Sequence, residues 1–190
     1  MKHILFWLCI IFLMSSLDVH ARDSLVFYQV GERDPVLWNA LKRSFASKGY
    51  GVSVYEGATT LEKQIQNANK INKERAAIFL AIELVSSDIE STFVAMSSAK
   101  KKKGNVLEID ELPAAHIEDS EELAQAIATA YKRKIKKLPL FVLLGIDMPA
   151  VFLRIDCPKD RAADIFDRLH EGLQKYTRRG AQNEAERKGE

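Results

Sequence analysis

The segment that decides the fold is residues 139–157, PLFVLLGIDMPAVFLRIDC. It contains two apolar runs, separated by Gly-Ile-Asp-Met-Pro, and one arginine, Arg154, inside the second run. Short runs rich in Val, Leu and Phe and bounded by Gly and Pro are typical of buried strands. A guanidinium without a partner in such a strand costs roughly several kcal/mol. We therefore expect two strands here, with Arg154 either at the open end of its strand or paired with an acid.

Strands and helices alternate along the rest of the chain. Apolar runs predict further strands at residues 25–30, 52–55, 76–85 and 106–109. Capping residues and helical spacing predict helices that begin at Pro35, Thr59, Ser87, Ser120 and Pro158. This alternation predicts an α/β domain, a three-layer sandwich with a central, mostly parallel sheet of about six strands and helices on both faces.

Two of the predicted helices carry runs of basic residues. After Ser87, the spacing of Ile89, Phe93 and Met96 favours a helix over a strand, closed by Lys100 to Lys103 and Gly104. The helix after Ser120 is predicted to bury Leu123, Ile127, Ala130, Tyr131 and Ile135. Its outer side is predicted to carry five basic residues, Lys132, Arg133, Lys134, Lys136 and Lys137. Each basic run is either a solvated helix surface or a surface that binds anions.

The N-terminal segment predicts export. Residues 1–21 combine a basic start, the apolar run Ile4 to Met14 and a small-x-small ending at Ala21, which is typical of a signal peptide. The apolar run is too short for a bilayer core of roughly 30 Å, so we expect cleavage after Ala21 and no stable membrane span; an uncleaved anchor is the alternative. Residues 22–177 then form one domain and residues 178–190 a polar, frayed tail.

Charge and cysteine content narrow the location and the partners. The net charge of +2 gives no pull toward nucleic acid, so we expect no nucleic acid partner. After cleavage the chain keeps one cysteine, Cys157, and therefore has no internal disulfide. Export without a disulfide predicts a periplasmic or secreted protein.

Polar residues near the predicted strand ends are the candidate site. In an α/β sheet, ligands bind beyond the carboxyl ends of the strands, where the connections diverge. The residues there, which we expect to line a cleft, are Gln29, Glu32, Glu83, Arg154 and Asp156. Glu83 and Glu32 are the candidate catalytic residues, because carboxylates can serve as general acids and bases.

Several fragments resemble a known family in their order and spacing. They are Ala68-Asn69, the strand Ile78 to Glu83, the segment Gly104 to Glu108 and above all Met148-Pro149-Ala150-Val151. Together they resemble the catalytic domain of zinc-dependent N-acetylmuramoyl-L-alanine amidases, which cleave the lactyl amide between peptidoglycan glycan and stem peptide. The resemblance covers Leu25 to Tyr176, although Gln64 stands where the family has an arginine.

The resemblance implies a zinc site whose ligands this chain does not keep. The family holds zinc with a histidine after the first strand, a glutamate at the next helix and a histidine ending the third strand, and uses a late glutamate as base. Here Gln29 to Gly31 replaces the first motif, Glu32 is the nearest match to the second ligand, Glu83 stands at the third, and Arg154 stands at the base. We therefore expect no metal residues and no cofactor, although the family would require zinc.

The other metal-binding or nucleophilic residue types are not in matching positions. His116 and His170 are the histidines that remain after cleavage, and for both we expect a surface or packing role rather than ligation. Cys157 precedes a helix whose dipole could lower its pKa, but no histidine is placed beside it, so a structural role is favoured over a nucleophilic one.

Three functions follow from these observations. The favoured one is an exported amidase-like domain that does not catalyse and binds peptidoglycan or a cell-wall-processing partner in the envelope. The alternatives are an active peptidoglycan amide hydrolase using Glu32 or Glu83 with Asp156 nearby, and an interaction protein whose lysine runs dock on anionic envelope components. The favoured reading includes the hypothesis that Glu83 and Arg154 form an ion pair where the family has its zinc; otherwise each reaches solvent at its strand end.

Overall fold

The structure, a computed structural model, describes residues 24–100 and 108–188. The predicted signal peptide and residues 106 and 107 of the strand predicted at residues 106–109 lie outside these residues; residues 108 and 109 are described and do not form a strand. Within the described ranges, the chain forms six strands: β1 (Ser24–Val30), β2 (Gly51–Glu56), β3 (Ile78–Ser86), β4 (Ser91–Ser97), β5 (Ile135–Leu138) and β6 (Ala150–Cys157). It also forms five α-helices: α1 (Pro35–Ser47), α2 (Leu61–Glu74), α3 (Leu112–Ala115), α4 (Ile117–Ala130) and α5 (Ala162–Lys188).

The six strands form one mostly parallel sheet in the order β2-β1-β3-β6-β4-β5. Strands β2, β1, β3 and β6 are parallel to one another. Strand β4 runs antiparallel to β6, and β5 runs parallel to β4 at the edge. The predicted α/β architecture with six strands and helices on both faces is therefore confirmed.

The central strands are buried on both faces. Helices α1, α4 and α5 cover one face, where Phe27, Leu80 and Leu153 point. Helix α2 and residues 140–148 cover the other face, where Val26 and Phe79 point. Because burying one such side chain contributes about 1.5–3 kcal/mol, the continuous apolar character of β1, β3 and β6 supplies much of the stability of the domain.

The first apolar run of the opening segment is not a strand. Phe141–Leu143 forms a short 3-10 helix within an irregular stretch, so the strand predicted there was wrong. The stretch is nevertheless buried, because Leu143 and Ile146 pack beneath α2. The stretch is apolar because it is buried, although it pairs with no strand. An apolar run in the sequence does not by itself distinguish a buried strand from a buried irregular segment.

Buried side chains of α2 supply the hydrogen bonds that strand neighbours would otherwise provide to this stretch. The Gln64 side-chain nitrogen donates to the carbonyl oxygens of Val142 and Leu144, each at 3.1 Å. Its side-chain oxygen accepts a 2.6 Å hydrogen bond from the hydroxyl of Tyr28 in β1. Gln64, which is fully buried, thus joins the sheet, the helix and the irregular stretch.

The helix predicted after Ser87 was also wrong, because residues 91–97 form strand β4. Val94 and Met96 alternate with Phe93 across the two faces, and β4 pairs with β6 along its length. The residue Ile89, counted toward the helical face, is 75% exposed at the turn between β3 and β4. Glu90 does not cap a helix; its carboxylate lies 2.7 Å from the Arg168 guanidinium on α5.

The helix expected after Ser120 begins earlier and ends earlier than predicted. Helix α4 starts at Ile117 and ends at Ala130, and Lys132 follows in the left-handed region with φ of 54°. Ile135 therefore lies in β5 rather than on the inner side of a helix, and Lys136 and Lys137 are strand residues. The left-handed residue ends the helix because it redirects the chain toward the sheet edge.

Two helix details also differ from the predictions. The N-cap of α2 is Thr60, not Thr59. Helix α5 continues to Lys188, although we expected residues 178–190 to fray. None of the helices in the described ranges is long and apolar enough to span a membrane.

We predict that Gln64→Met lowers the free energy of unfolding by about 2–3 kcal/mol, because it leaves the buried Tyr28 hydroxyl without its acceptor and two partly buried carbonyl oxygens without donors. The matched control is Gln66→Met on the exposed side of the same helix, which should change stability by less than about 0.5 kcal/mol. Urea unfolding followed by circular dichroism measures both. Equal midpoints for the two variants would contradict the role assigned to Gln64.

Candidate functional site

A cleft opens where the chain connections diverge at the carboxyl ends of β1 and β3. From β1 the chain passes to β2 on one side, and then to β3 on the other side of β1. Such a switch point is the usual ligand site of an open α/β sheet. The cleft has a volume of about 680 Å³, and its charged lining residues are Glu32, Arg33, Asp34, Glu83, Arg154 and Lys159.

The strand register brings Glu83 and Arg154 side by side. Val30, Glu83, Arg154 and Phe93 are successive partners across β1, β3, β6 and β4, so their side chains emerge on the same face of the sheet. The Arg154 Nη1 atom lies 3.3 Å from the Glu83 Oε1 atom and donates a hydrogen bond to it. The ion pair predicted from the sequence is therefore present.

The pair is only partly shielded from solvent. The Arg154 side chain is 46% exposed and the Glu83 side chain 27%. Arg154 is thus not a fully buried charge; it both meets an acid and reaches water. Because of this exposure, the pair contributes at most about 1 kcal/mol to stability, and its main effect is to fix the charges in the cleft.

Two further residues extend the pair into a network across three strands. The Arg154 Nε atom donates to Asp156 Oδ1 at 3.2 Å, and the Ser91 hydroxyl donates to Asp156 Oδ2 at 2.7 Å. The guanidinium therefore lies between two carboxylates, and the second of these is held from β4. This arrangement restricts the orientation of the Arg154 side chain.

A glycine makes room for the Glu83 carboxylate. Gly31 has φ of 73°, in the left-handed region, and a Cβ atom there would lie 3.4 Å from Glu83 Cγ. Glycine adopts this backbone conformation without the cost that a side chain adds. The chain can therefore turn sharply from β1 toward α1 while Glu83 fits beside the turn.

The N-terminus of α1 forms the opposite wall of the cleft. Asp34 caps the helix by accepting hydrogen bonds from the backbone N–H groups of Val36 and Leu37, at 2.9 and 3.1 Å. The bond from Leu37, together with Lys159 at 3.2 Å, lowers the pKa of the Asp34 carboxyl below its ordinary value. The Asp34 carboxylate is therefore ionised, and it accepts the N–H groups at the start of α1.

The structure brings some of the predicted site residues together and separates others. Glu32, Glu83 and Arg154 line the cleft. Asp156 is not among its lining residues and takes part through its bond to Arg154. Gln29 does not line the cleft either; strand alternation points it with Phe27 toward the face covered by α1 and α5.

Sequence reasoning missed three charged cleft residues and one hydroxyl. Asp34 precedes Pro35 just after a strand, which is a recognisable N-cap signal at a strand end. Arg33 lies in the same loop, directly before Asp34, and could have been inferred with it. No sequence pattern indicated that Lys159 or Ser91 lies near the cleft. Their positions depend on how the end of β6 and strand β4 pack in the folded protein.

The donor set does not fit the zinc ion that the resemblance noted in the sequence implies. A zinc site needs about three protein nitrogen, oxygen or sulfur ligands around an open position. Within residues 24–100 and 108–188, no group of three or more His, Cys, Asp or Glu side chains is arranged to hold a metal. Glu83 bonds to a guanidinium, whose positive charge opposes a cation at the same carboxylate.

The remaining histidines and the cysteine lie away from the cleft lining. His116 lies 3.0 Å from Asp147, and His170 packs against the rings of Phe45 and Tyr50, where burial lowers its pKa. Cys157 is fully buried, and burial raises the pKa of its thiol to about 11. A buried, protonated thiol is not a nucleophile.

Comparison with known proteins identifies the fold. The sequence matches no protein-family model and no curated protein. Among solved structures, the N-acetylmuramyl-L-alanine amidase of Mycobacterium smegmatis is similar with a TM-score of 0.53, over 83% of this chain and 98% of that chain, at 12% identity. The chain has an amidase-like fold.

A second amidase structure agrees with this result. The apo form of the N-acetylmuramyl-L-alanine amidase of Mycobacterium abscessus is similar with a TM-score of 0.51, over 82% of this chain and 99% of that chain, at 9% identity. Both matches span nearly the whole of the amidase chain. At these identities the likeness concerns the fold, and the chemistry must be argued from the residues of the cleft.

In a protein without residues 1–21, we predict that the Cys157 thiol reacts with a disulfide reagent at pH 8 about two hundred times more slowly than in urea. With a pKa of about 11, roughly one thiol in a thousand is ionised at that pH. The control places an exposed thiol on α5 with Ala163→Cys in a Cys157→Ala background, and it should react rapidly. A fast reaction of the native Cys157 thiol would refute its burial.

Proposed function

We propose that the protein is an exported, non-catalytic amidase-like domain that binds peptidoglycan, or a protein that processes the cell wall, in the cleft between β1 and β3. The observation that carries this proposal is the Glu83–Arg154 ion pair at the centre of the cleft of an amidase fold. In this proposal residues 1–21 are removed as a signal peptide, residues 22–177 form the domain, and the protein acts in the periplasm or after secretion.

The argument against metal-dependent hydrolysis is electrostatic. A zinc-bound water requires a cation held by neutral or anionic ligands, and here the guanidinium of Arg154 lies between Glu83 and Asp156. Arginine keeps its proton at all ordinary pH values, so Arg154 cannot accept one as a general base. The residues of the cleft thus support binding without cofactor-dependent bond cleavage.

The cleft instead provides both signs of charge to a ligand. The bonds to Glu83 and Asp156 use Nη1 and Nε of Arg154, which leaves its Nη2 atom to donate to a ligand carboxylate. Glu32 and Arg33 add a second carboxylate and a second guanidinium at the rim. A cell-wall peptide fits this pattern, because it presents carboxylates together with amide and amine donors.

The first experiment combines metal analysis with an activity assay on the processed protein. We expect less than stoichiometric zinc after purification and no release of muropeptides from purified peptidoglycan. Stoichiometric metal together with muropeptide release would refute the proposal. In parallel, co-sedimentation with insoluble peptidoglycan measures binding.

Variants then locate the binding site. Arg154→Ala should weaken co-sedimentation about tenfold, because it removes a charge-assisted hydrogen bond. Arg43→Ala, on the exposed surface of α1, should bind like the parent protein. Thermal unfolding should be similar for both variants, since the Arg154 ion pairs are half exposed. Equal loss of binding in both variants would place the ligand outside the cleft.

A second candidate function is an active amide hydrolase with altered residues. This function is favoured by the position of Glu32 and Glu83, which line the same cleft. Arg154 donates hydrogen bonds to both Glu83 and Asp156, so Asp156 also lies nearby. Two carboxylates can divide the roles of acid and base when their environments differ. This function predicts muropeptide release that Glu83→Gln abolishes and that Glu62→Gln, at an exposed position on α2, leaves intact. Release unchanged in Glu83→Gln would argue against it.

A further inference from the structure

A basic and apolar corner lies at the end of the sheet opposite the cleft. Three of its side chains are large, apolar and exposed: Ile109 by 37%, Leu138 by 36% and Phe141 by 43%. Lys136 in β5 and Lys100, which follows β4, are exposed beside them. We call these five residues the basic corner.

Strand register and a shallow cavity show that the corner is one continuous surface. Lys136 pairs with Ala95 and Leu138 with Ser97, so both point to the sheet face that α2 covers elsewhere. Ser97 also lines a cavity of about 440 Å³, whose apolar walls include Pro113, Phe141 and Leu144. Of the three exposed apolar side chains, Phe141 lines this depression, and Leu138 is the strand partner of Ser97 in its wall.

The edge of the sheet at β5 carries a run of basic residues. Five of the six residues from Lys132 to Lys137 are basic, and they follow the edge of the sheet along β5. Of the described residues in this run, Lys137 is the one with an ion pair, at 2.9 Å from Glu121. Asp110 is the acidic residue in the cavity wall. The lysine run is thus available to anions as a strip that leads to the apolar corner.

We infer that the basic corner docks on a bilayer that contains anionic phospholipids. Lysine ammonium groups are attracted to anionic headgroups, and aromatic and aliphatic side chains enter the boundary between headgroups and acyl chains. A soluble polyanion would satisfy the lysines alone and would leave Phe141, Leu138 and Ile109 exposed to water. The combination of both features favours a lipid surface.

This docking orients the cleft away from the bilayer. The basic corner lies near the start of β6, and the cleft lies at its carboxyl end, a distance of roughly 25 Å for a strand of eight residues. A domain held in this way presents the cleft toward material above the membrane surface. The inference does not depend on what the cleft binds.

The test uses the processed protein, with its N-terminus confirmed by mass spectrometry, and lipid vesicles. The protein should co-sediment with vesicles of phosphatidylcholine and phosphatidylglycerol. This binding should weaken when the salt concentration is raised, and also when the vesicles contain phosphatidylcholine alone. Lys100→Glu/Lys136→Glu should lower the affinity at least about tenfold. The matched control, Lys42→Glu/Arg43→Glu on the exposed side of α1, should bind within about twofold of the parent.

A fluorescent reporter distinguishes a bilayer from a soluble polyanion. In the Phe141→Trp variant, brominated lipids should quench the new indole, whereas Trp38, which is 1% exposed, should not be affected. Leu61→Trp places an exposed indole at the cleft end of the sheet and should not be quenched. Three results would each overturn the inference. The first is vesicle binding without quenching of the Phe141→Trp variant, and the second is an affinity for inorganic polyphosphate equal to the affinity for vesicles. The third is the absence of any vesicle binding. None of these results would change the peptidoglycan assay of the cleft.

Discussion

Strands β1, β3 and β6 are covered by packed side chains on both faces, and this constraint restricts charge to their carboxyl ends. Along β3 the side chains from Ile78 to Ile82 are buried, and the first charged residue is Glu83. Along β6 the first charged residue is Arg154, one strand away in the same row. Because a charge earlier in either strand would be buried without water, the row that contains these two residues is the first in which a polar site can form.

Once two opposite charges occupy that row, the neighbouring backbone and side chains adapt to them. Gly31 turns the chain past the Glu83 carboxylate, Ser91 holds Asp156 beside the guanidinium, and Asp34 closes the end of α1. The result is a cleft with an amidase-like fold around it and a guanidinium at its centre. This arrangement favours a ligand with mixed charge over a metal ion, and it is the physical basis of the proposed binding function.

Regular patterns in the sequence predicted the parts of the fold that local chemistry controls. The spacing of apolar residues in α1, the proline at its start and the continuous apolar runs of β1, β3 and β6 led to correct assignments. The predictions failed where one pattern fits two structures. Phe93 and Met96 fit a helix face or a strand, and pairing with β6 decided for the strand. Phe141–Leu143 is apolar because it is buried under α2, where Gln64 supplies its hydrogen bonds.

The sequence by itself determined that Glu83 and Arg154 lie near the ends of apolar strands. Only the tertiary structure decided that the two strands are neighbours in matching register, so that the two charges meet at 3.3 Å. It also decided that Gln29 points to the opposite face and that Lys159 and Ser91 join the cleft and its network. The physical reason is that side-chain periodicity is local, whereas strand order and register depend on packing between residues that are far apart in the chain.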